Sequence, residues 1–375
     1  MEHVAHDLAK ELVELGNKVI VVTTSINNNQ QEIKSSFKNG YNLVFLPETQ
    51  PMAYSKFWWR NIREYFLDYN RQSKVDLVIS ISAAANSIVG LKETKNIPVV
   101  FQAHGTALGE VKSKLQLNFK KKLSSIKNIY AYLKDLYYIP KYDAVITIGE
   151  KVYKEYLASK FSLNSNVKLI NNAVDTKLFH ASNELRSRTR EKLNIPKDSF
   201  VFISTSRLNA QKGIKQAINI FKHVQVEIPE LYFLIIGDGA EKENLSRQIK
   251  ELEIESNVIM LGEVNREEIN EYYSASDFML FSTLRQEGLP LTILEALSNG
   301  LVCFISNDIK FDDEFPVLPI DPHNYILSAE KVRSTLMRDD LDNIKKEGTR
   351  VIENRFSMNR WGQQYLEVFN DLVKK

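Results

Sequence analysis

Short apolar runs alternate with helix-length amphipathic stretches along the whole chain. This alternation is typical of a parallel sheet whose strands are joined by crossover helices. Near-continuous hydrophobicity within a run indicates a strand that is buried on both faces. Six such runs predict strands in the first half, at Val19–Thr23, Leu43–Leu46, Leu77–Ser80, Val99–Ala103, Ala144–Ile148 and Val167–Ile170.

The alternation restarts after a polar stretch around Asn171–Pro196. The strands predicted there are Val201–Thr205, Leu231–Ile236, Val258–Leu261, Phe278–Phe281 and Leu301–Ile305. Two successive α/β units predict two Rossmann-like, doubly wound domains that face a cleft, with ligands beyond the carboxyl ends of the strands. We place an N-terminal domain at residues 1–175, a C-terminal domain at 176–355, and a terminal helix at 356–375 that packs back toward the N-terminal domain.

The chain opens inside a predicted helix, Glu2–Leu15, which ends at Gly16. A doubly wound domain normally opens with a strand and a glycine-rich turn, so we expect the first strand of the N-terminal domain to be missing. A sheet without that central strand would expose unpaired backbone groups on the neighbouring strands.

The composition is that of a soluble globular protein, with 43% hydrophobic and 26% charged residues. A formal net charge of +2 gives no electrostatic case for binding nucleic acid. The single cysteine, Cys303, excludes a disulfide framework and lies in an apolar run that favours burial. Without an apolar run of membrane-spanning length or a signal peptide, a cytoplasmic enzyme is the expectation.

The segment Glu287–Glu295 follows the predicted strand Phe278–Phe281. Pro290 fits the first turn of a helix, whose free N–H groups near Leu291 and Thr292 would form an anion site suited to a diphosphate. Glu287 would lie outside the mouth of this helix and Glu295 about a turn inside it. Two glutamates alone are more typical of a solvated acidic loop and a helix surface than of a binding site.

Three further clusters follow predicted strands. Arg207 and Lys212 lie at a strand–loop–helix junction, where cations can neutralise a diphosphate without a metal, although two ordinary surface cations would give the same pattern. Gly237 and Gly239 indicate a tight turn that brings backbone close to a ligand, and Lys242 at the third glycine position argues against a nicotinamide site. His104 follows Val99–Ala103, where a lone histidine is often structural.

In order and spacing these motifs resemble the retaining glycosyltransferases of family 4, which have the GT-B fold. The matching pieces cover nearly the whole chain: His104-Gly105, Asn171-Asn172-Ala173-Val174-Asp175, Ser206-Arg207 with Lys212-Gly213, Gly237-Asp238-Gly239, Tyr273-Ser274-Ala275-Ser276-Asp277, and Glu287 with Glu295.

The resemblance implies a role for each candidate residue. Arg207 and Lys212 would hold the donor diphosphate with the backbone N–H groups of Leu291 and Thr292, and Glu295 would bind the ribose. Catalytic contacts to the donor sugar would come from Glu287 and, from the other domain, His104. Gly237, Gly239 and Gly288 would let the loops approach the donor. The resemblance also implies that no metal and no cofactor is needed. The nucleotide sugar, expected to carry uridine diphosphate, is the donor substrate.

The sequence departs from the family pattern at its start. Family members usually have a first strand and a Gly-Gly loop just before the positions that match Glu2-His3. If the chain begins at Met1, we expect little or no transferase activity and an N-terminal domain of low stability.

The sequence at Gln286–Pro290 and Gly300–Ser306 most resembles that of family members that build bacterial capsule and exopolysaccharide. This implies a glycan or lipid-linked acceptor. The segment Lys112–Lys141 combines eight lysines with one acidic residue, Asp135, over apolar residues at helical spacing. It is typical either of a helix peripheral on the anionic inner face of the plasma membrane or of a core-packed helix with a solvated lysine face.

Two other functions stay open from the sequence. One is a truncated or degenerate, non-catalytic protein that binds a nucleotide sugar or a partner enzyme. The expected absence of the first strand and Gly-Gly loop suggests this interpretation. The other is a sugar-nucleotide epimerase on the same fold, against which the combination of Arg207 and Lys212 with Glu287 and Glu295 argues.

Overall fold

The computed structural model describes residues 2–25, 30–50, 54–103, 133–158, 166–284, 289–309 and 315–374. The chain divides into two compact units. The first domain comprises Met1–Asn172 together with Met358–Lys375, and the second domain comprises Ala173–Ser357.

The described strands of the first domain form two sheets. They are β1 Ile20–Thr24, β2 Lys34–Lys38, β3 Tyr41–Leu46, β4 Val78–Ile81, β5 Val99–Ala103, β6 Ala144–Thr147 and β7 Asn166–Leu169. One sheet has the order β1-β3-β2, with β1 parallel and β2 antiparallel to β3. The other is parallel, in the order β4-β5-β6-β7.

The helices of the first domain cover these strands. They are α1 Glu2–Glu14, α2 Lys56–Gln72, a helical stretch at 133–138, α3 Glu150–Ala158 and the C-terminal helix Met358–Val373. The C-terminal helix packs within this domain, where the buried Tyr365 hydroxyl accepts a 2.6 Å hydrogen bond from Gln102 of β5. Gly362 lies so close to Glu11 of α1 that an added Cβ would lie 2.4 Å from its side chain.

The second domain contains one six-stranded parallel sheet. Its strands are β8 Phe200–Thr205, β9 Leu231–Ile236, β10 Val258–Gly262, β11 Phe278–Phe281, β12 Val302–Ser306 and β13 Val317–Ile320. They lie in the order β10-β9-β8-β11-β12-β13. This is the doubly wound order, and its direction reverses between β8 and β11, which defines the topological switch point.

Each face of this sheet has its own apolar core. Phe202, Phe278 and Phe304 pack together on one face, with 5.1 Å between the ring centroids of Phe202 and Phe278. Their strand neighbours Ile203, Met279 and Cys303 belong to the core on the other face. Helices cover both faces: α4 Asn183–Lys192, α5 Ile214–Gln225, α6 Lys242–Glu251, α7 Ile269–Ala275, α8 Leu291–Ser298, α9 Tyr325–Leu336 and α10 Leu341–Arg355.

The structure corrects several expectations about single elements. Strands β2 and β13 were not predicted, and the polar stretch around Asn171–Pro196 contains helix α4. The last predicted strand of the sheet lies one residue further along, at Val302–Ser306 rather than Leu301–Ile305. Pro290 is the N-cap of α8 and has extended backbone angles, so it precedes the first helical turn instead of belonging to it.

None of the helices in the described ranges is both long and apolar enough to cross a lipid bilayer.

Candidate functional site

Backbone hydrogen bonds join the loops after β8, β9 and β10 at the carboxyl edge of the second sheet. The Ser206 N–H donates to the Ile236 carbonyl at 3.0 Å, and the Leu208 N–H donates to the Asp238 carbonyl at 2.9 Å. The Gly237 N–H donates to the Gly262 carbonyl at 2.7 Å. Arg207, the predicted diphosphate ligand, therefore lies in a loop whose backbone is held by hydrogen bonds to the loop after β9.

Gly237 and Gly239 make this close contact possible. A Cβ on Gly237 would lie 1.9 Å from the Ser206 carbonyl oxygen, and one on Gly239 would lie 2.4 Å from that of Leu208. Both also have positive φ angles, of 134° and 154°. The tight turn predicted here therefore brings two loops of the protein together at the strand ends.

Lys212 is positioned by a short turn between β8 and α5. The Asn209 side-chain oxygen accepts hydrogen bonds from the N–H groups of Gln211 and Lys212 at 3.1 and 3.2 Å. Gly213 then turns the chain with a φ of 68° and lies so near Ser282 that a Cβ would be 1.8 Å from its carbonyl oxygen. The Ser282 hydroxyl donates back to the Gly213 carbonyl at 2.6 Å. The loops on the two sides of the switch point are thus joined directly.

Helix α8 begins at the same edge, after β11. Pro290 has no N–H group, and the first N–H groups of a helix, here those of Leu291 and Thr292, have no partner within it. The Thr292 hydroxyl is shielded from solvent, yet it has no hydrogen-bond partner among the residues that the structure describes. Helix end and hydroxyl form a donor group that suits an anion.

Glu295 lies in the second turn of α8 and is 8% exposed. Its Oε2 accepts a 3.0 Å hydrogen bond from the Tyr273 hydroxyl, which also lies 2.8 Å from the Thr205 hydroxyl at the end of β8. Burial, and then the Glu295 carboxylate, hold the pKa of Tyr273 well above its usual range. Glu295 is thereby linked to the end of β8, just before the loop that contains Arg207.

The charges at this edge are only partly neutralised. Arg207 is exposed and forms no ion pair with any residue in the described ranges. Lys212 is half-buried, with its Nζ 5.8 Å from the centroid of the Phe281 ring. Lys242 pairs with Asp238 at 2.6 Å and, with the Gly239 N–H, lowers the pKa of that carboxyl. The Arg207 guanidinium is therefore presented toward solvent at this edge.

The structure brings together the loops and helix that carry seven predicted site residues: Arg207, Lys212, Gly237, Gly239, Leu291, Thr292 and Glu295. His104, Glu287 and Gly288 lie outside the described residues, as does 112–132 of the segment Lys112–Lys141. Residues 133–141 of that segment are described and belong to the first domain.

Sequence reasoning assigned no role to four residues that shape the site. They are Thr205, Asn209, Tyr273 and Ser282. Asn209 had a usable signal, because asparagine favours turns and helix caps. The other three form hydrogen bonds to residues of other elements, and no local sequence pattern indicates such bonds.

Asp277, from one of the motif stretches, lies at the opposite, amino edge of the second sheet. Its carboxylate accepts from Arg186 at 2.7 Å, from Arg190 at 2.8 Å and from the Val201 N–H at 2.9 Å. Asp277 and Arg186 also line an open cavity of about 570 Å³ at that edge. Asp277 therefore holds the sheet together away from the candidate site.

Comparison with known proteins assigns the class. Residues 1–178 match the family described as Glycosyltransferase Family 4, and residues 186–315 match Glycosyl transferases group 1. The structure is similar to that of Anabaena HepE in complex with UDP and glucose, with a TM-score of 0.73 and 17% identity, covering 99% of this chain and 95% of that one. The fold is GT-B.

Two curated relatives agree. An uncharacterized glycosyltransferase of Methanocaldococcus jannaschii is 38% identical over 46% of this chain and 42% of its own length. An alpha-monoglucosyldiacylglycerol synthase of Acholeplasma laidlawii is 25% identical over 82% of this chain and 76% of its own length. The chain thus spans less than half the length of the first of these relatives. It belongs to glycosyltransferase family 4, a family of sugar transferases, which confirms the resemblance drawn from the motifs.

Proposed function

We propose that the chain transfers a sugar from a uridine-diphosphate sugar to a glycan or lipid-linked acceptor, with retention of configuration, in the synthesis of a surface polysaccharide or glycolipid. The observation that carries this proposal is the switch point of the second sheet. There Arg207, Lys212 and the amino end of α8, with its solvent-shielded Thr292 hydroxyl, face one carboxyl edge.

The chemistry of sugar transfer explains why donors should gather at this edge. When the bond between the sugar and the diphosphate breaks, negative charge develops on the leaving phosphate oxygen. Fixed cations and N–H groups stabilise that charge without having to reorganise. In this proposal Arg207 and Lys212 supply the positive charge, Leu291 and Thr292 supply backbone donors, and neither a metal nor a cofactor is invoked.

The remaining site residues complete the proposal. Glu295 binds the ribose of the nucleotide, because a carboxylate accepts hydrogen bonds from two adjacent hydroxyls. Glu287 contacts the donor sugar and His104 lines the sugar site, both as predictions from the family resemblance. The Anabaena HepE structure, in complex with UDP and glucose, supports a uridine nucleotide.

A lipid-linked or glycolipid acceptor is supported by the Acholeplasma relative, whose name denotes a diacylglycerol glycolipid product. The described part of Lys112–Lys141 favours contact with a membrane surface, since Leu133 and Tyr137 are 56% and 61% exposed. The ammonium group of Lys141 lies 3.4 Å from the centroid of the Tyr137 ring, and that of Lys134 lies 4.4 Å from the Trp59 ring. A cation beside the exposed Tyr137 ring suits an anionic lipid surface.

Sedimentation with vesicles of anionic lipid tests this membrane contact. We expect a variant in which Lys120, Lys121 and Lys122 are replaced by glutamine to bind several-fold less than the unmodified chain. Equal binding by the two proteins would contradict the contact.

Nucleotide affinity tests the site itself. We expect Arg207→Ala and Lys212→Ala each to raise the Kd for UDP about tenfold or more, because each removes a charge-assisted hydrogen bond to phosphate. Lys250→Ala, a change to an exposed lysine in the last turn of α6, is the matched control and should leave the Kd unchanged. Unchanged affinity in both site variants would overturn the proposed donor site.

Product analysis tests the reaction. Glu287→Ala should abolish transfer and leave UDP affinity largely intact. A product that forms without any added acceptor would instead indicate an epimerase, and binding without turnover would indicate a non-catalytic protein.

A further inference from the structure

We propose that Tyr273 is a positioning residue that holds the Glu295 carboxylate for the ribose and so sets the preference of this site for ribonucleotides over deoxyribonucleotides. The inference rests on the proposed function, in which Glu295 binds the ribose. It assigns to Tyr273 a task that is separate from support of the fold.

Three side chains form a relay beneath the candidate site. The Thr205 and Tyr273 hydroxyl oxygens are 2.8 Å apart, and the Tyr273 oxygen is 3.0 Å from Glu295 Oε2. All three are buried, with Tyr273 at 0%, Thr205 at 4% and Glu295 at 8% exposed. Bulk water therefore competes little for these hydrogen bonds, so they restrain the side chains strongly.

The direction of the relay follows from the chemistry of its ends. A carboxylate only accepts hydrogen bonds, so the Tyr273 hydroxyl donates its single proton to Glu295. Burial and the nearby carboxylate raise the pKa of Tyr273, which keeps that proton in place. The Tyr273 oxygen must then accept from Thr205, whose hydroxyl proton points along the relay toward Glu295.

The tyrosine ring cannot follow the carboxylate if Glu295 turns. It is enclosed in the apolar core and packs edge-on against Phe179, with 6.1 Å between the ring centroids. A glutamate side chain has several rotatable bonds, whereas recognition of a ribose diol needs one orientation of the carboxylate. Holding that orientation before the nucleotide arrives removes an entropic cost from binding.

This arrangement predicts selectivity as well as affinity. A nucleotide that lacks a ribose hydroxyl leaves part of a fixed, buried carboxylate without a donor, and sites of this kind reject such analogues strongly. A carboxylate that has lost its Tyr273 partner can turn toward water, so the missing hydroxyl costs less. The ratio of the Kd values for 2′-deoxy-UDP and UDP therefore reports on positioning.

The experiment measures both Kd values by calorimetry for Tyr273→Phe and for Tyr272→Phe. Tyr272 is the neighbouring tyrosine in α7, is 8% exposed, and its hydroxyl has no hydrogen bond to any described residue, so it controls for the loss of a tyrosine hydroxyl from the same helix. We expect Tyr273→Phe to raise the Kd for UDP about tenfold and to reduce the deoxy/ribo ratio by a similar factor. Tyr272→Phe should change neither value.

A second variant and a cycle keep the test decisive. Thr205→Val keeps the side-chain shape and removes the first hydroxyl of the relay, so it should produce a smaller change in the same direction even if Tyr273→Phe folds poorly. In a Glu295→Ala background, Tyr273→Phe should have no further effect on the ratio.

The outcomes separate the two proposals. If Glu295→Ala leaves UDP affinity and the ratio unchanged, the ribose role of Glu295 is wrong and the proposed site fails. If Glu295→Ala removes the selectivity but Tyr273→Phe and Thr205→Val retain it in full, the positioning role of Tyr273 is wrong and the proposed function stands.

Discussion

The two domains are built from the same kinds of elements but complete their sheets differently. In the second domain six parallel strands form one sheet, whereas the described strands of the first domain form separate sheets of three and four. The residues of β1 are all partly exposed, while five of the six residues of β8 are buried. The predicted donor residues therefore lie on the sheet whose centre is continuous and fully packed.

Two aspartates show how far this difference extends. Asp143 and Asp277 each immediately precede a strand, β6 and β11, and each accepts an N–H hydrogen bond from a neighbouring strand, at 2.7 Å from Val99 and 2.9 Å from Val201. Asp143 is exposed, whereas Asp277 is buried and also pairs with Arg186 and Arg190. Among the described residues, ion pairs thus support this connection between strands at Asp277 and not at Asp143.

Removal of these carboxylates should have the largest effect on stability. Asp277→Ala leaves the Arg190 guanidinium, which is 3% exposed, buried without its carboxylate. We expect it to lower the free energy of unfolding by about 3–5 kcal/mol. Asp143→Ala removes the acceptor of the Val99 N–H at an exposed site, and we expect it to lower the free energy of unfolding by about 1 kcal/mol. Urea titration of both variants measures the difference, and equal losses would contradict the comparison.

A pair of glycines gives the next largest contrast. Gly213 and Gly16 both have positive φ, of 68° and 87°, but an added Cβ meets the Ser282 carbonyl at 1.8 Å in the first case and nothing within 4 Å in the second. We expect Gly213→Ala to cost about 2–4 kcal/mol and to weaken UDP binding more than tenfold, because the loops of the switch point must separate. Gly16→Ala should cost about 1 kcal/mol, from backbone strain alone. Urea unfolding and calorimetry check both, and a milder effect at Gly213 would show that these loops adapt.

The smallest effect concerns Asp135, a partly buried carboxyl group of the first domain that forms no ion pair within the described part of the chain. Burial raises the pKa of Asp135 to about 6. The folded state then binds this proton more tightly than the unfolded state, so the stability that the group contributes at low pH is lost as the pH rises from about 4 to above 6.

Asp135→Asn should therefore stabilise the protein at pH 7.5 by about 1–2 kcal/mol, after allowance for partial exposure, and have no effect near pH 4. Thermal unfolding at the two pH values measures this. A gain at pH 4 that equals the gain at pH 7.5 would contradict the assignment.

The sequence predicted the strongly apolar strands well, including the edge strand Val258–Gly262, and missed two strands with a weak apolar pattern. Strands such as Leu231–Ile236 and Phe278–Phe281 are apolar on both faces and lie at the residues expected. All five residues of β2, Lys34–Lys38, are exposed, so it carries no hydrophobic signal. Pro319 lies in the edge strand β13, where a missing N–H group is tolerated but disguises the strand.

Some features of the candidate site could be predicted from the sequence and others could not. Arg207, Lys212 and the start of α8 could be predicted, because parallel strands deliver the residues that follow them to one edge. The hydrogen bond from Tyr273 to Glu295 could not, since the two residues are 22 apart and meet only through the packing of α7 against the sheet. The burial of Arg190 within a polar stretch likewise depends on Asp277, 87 residues away.

Cys303 lies in β12 with none of its surface exposed, and burial raises the pKa of its thiol. Since it is the chain's only cysteine, a thiol-reactive reagent can label the protein only when the second domain opens. The rate of labelling in native buffer therefore measures how often the second domain opens, independently of the first domain. Slower labelling in the presence of UDP would report nucleotide binding through the protection of one sulfur atom.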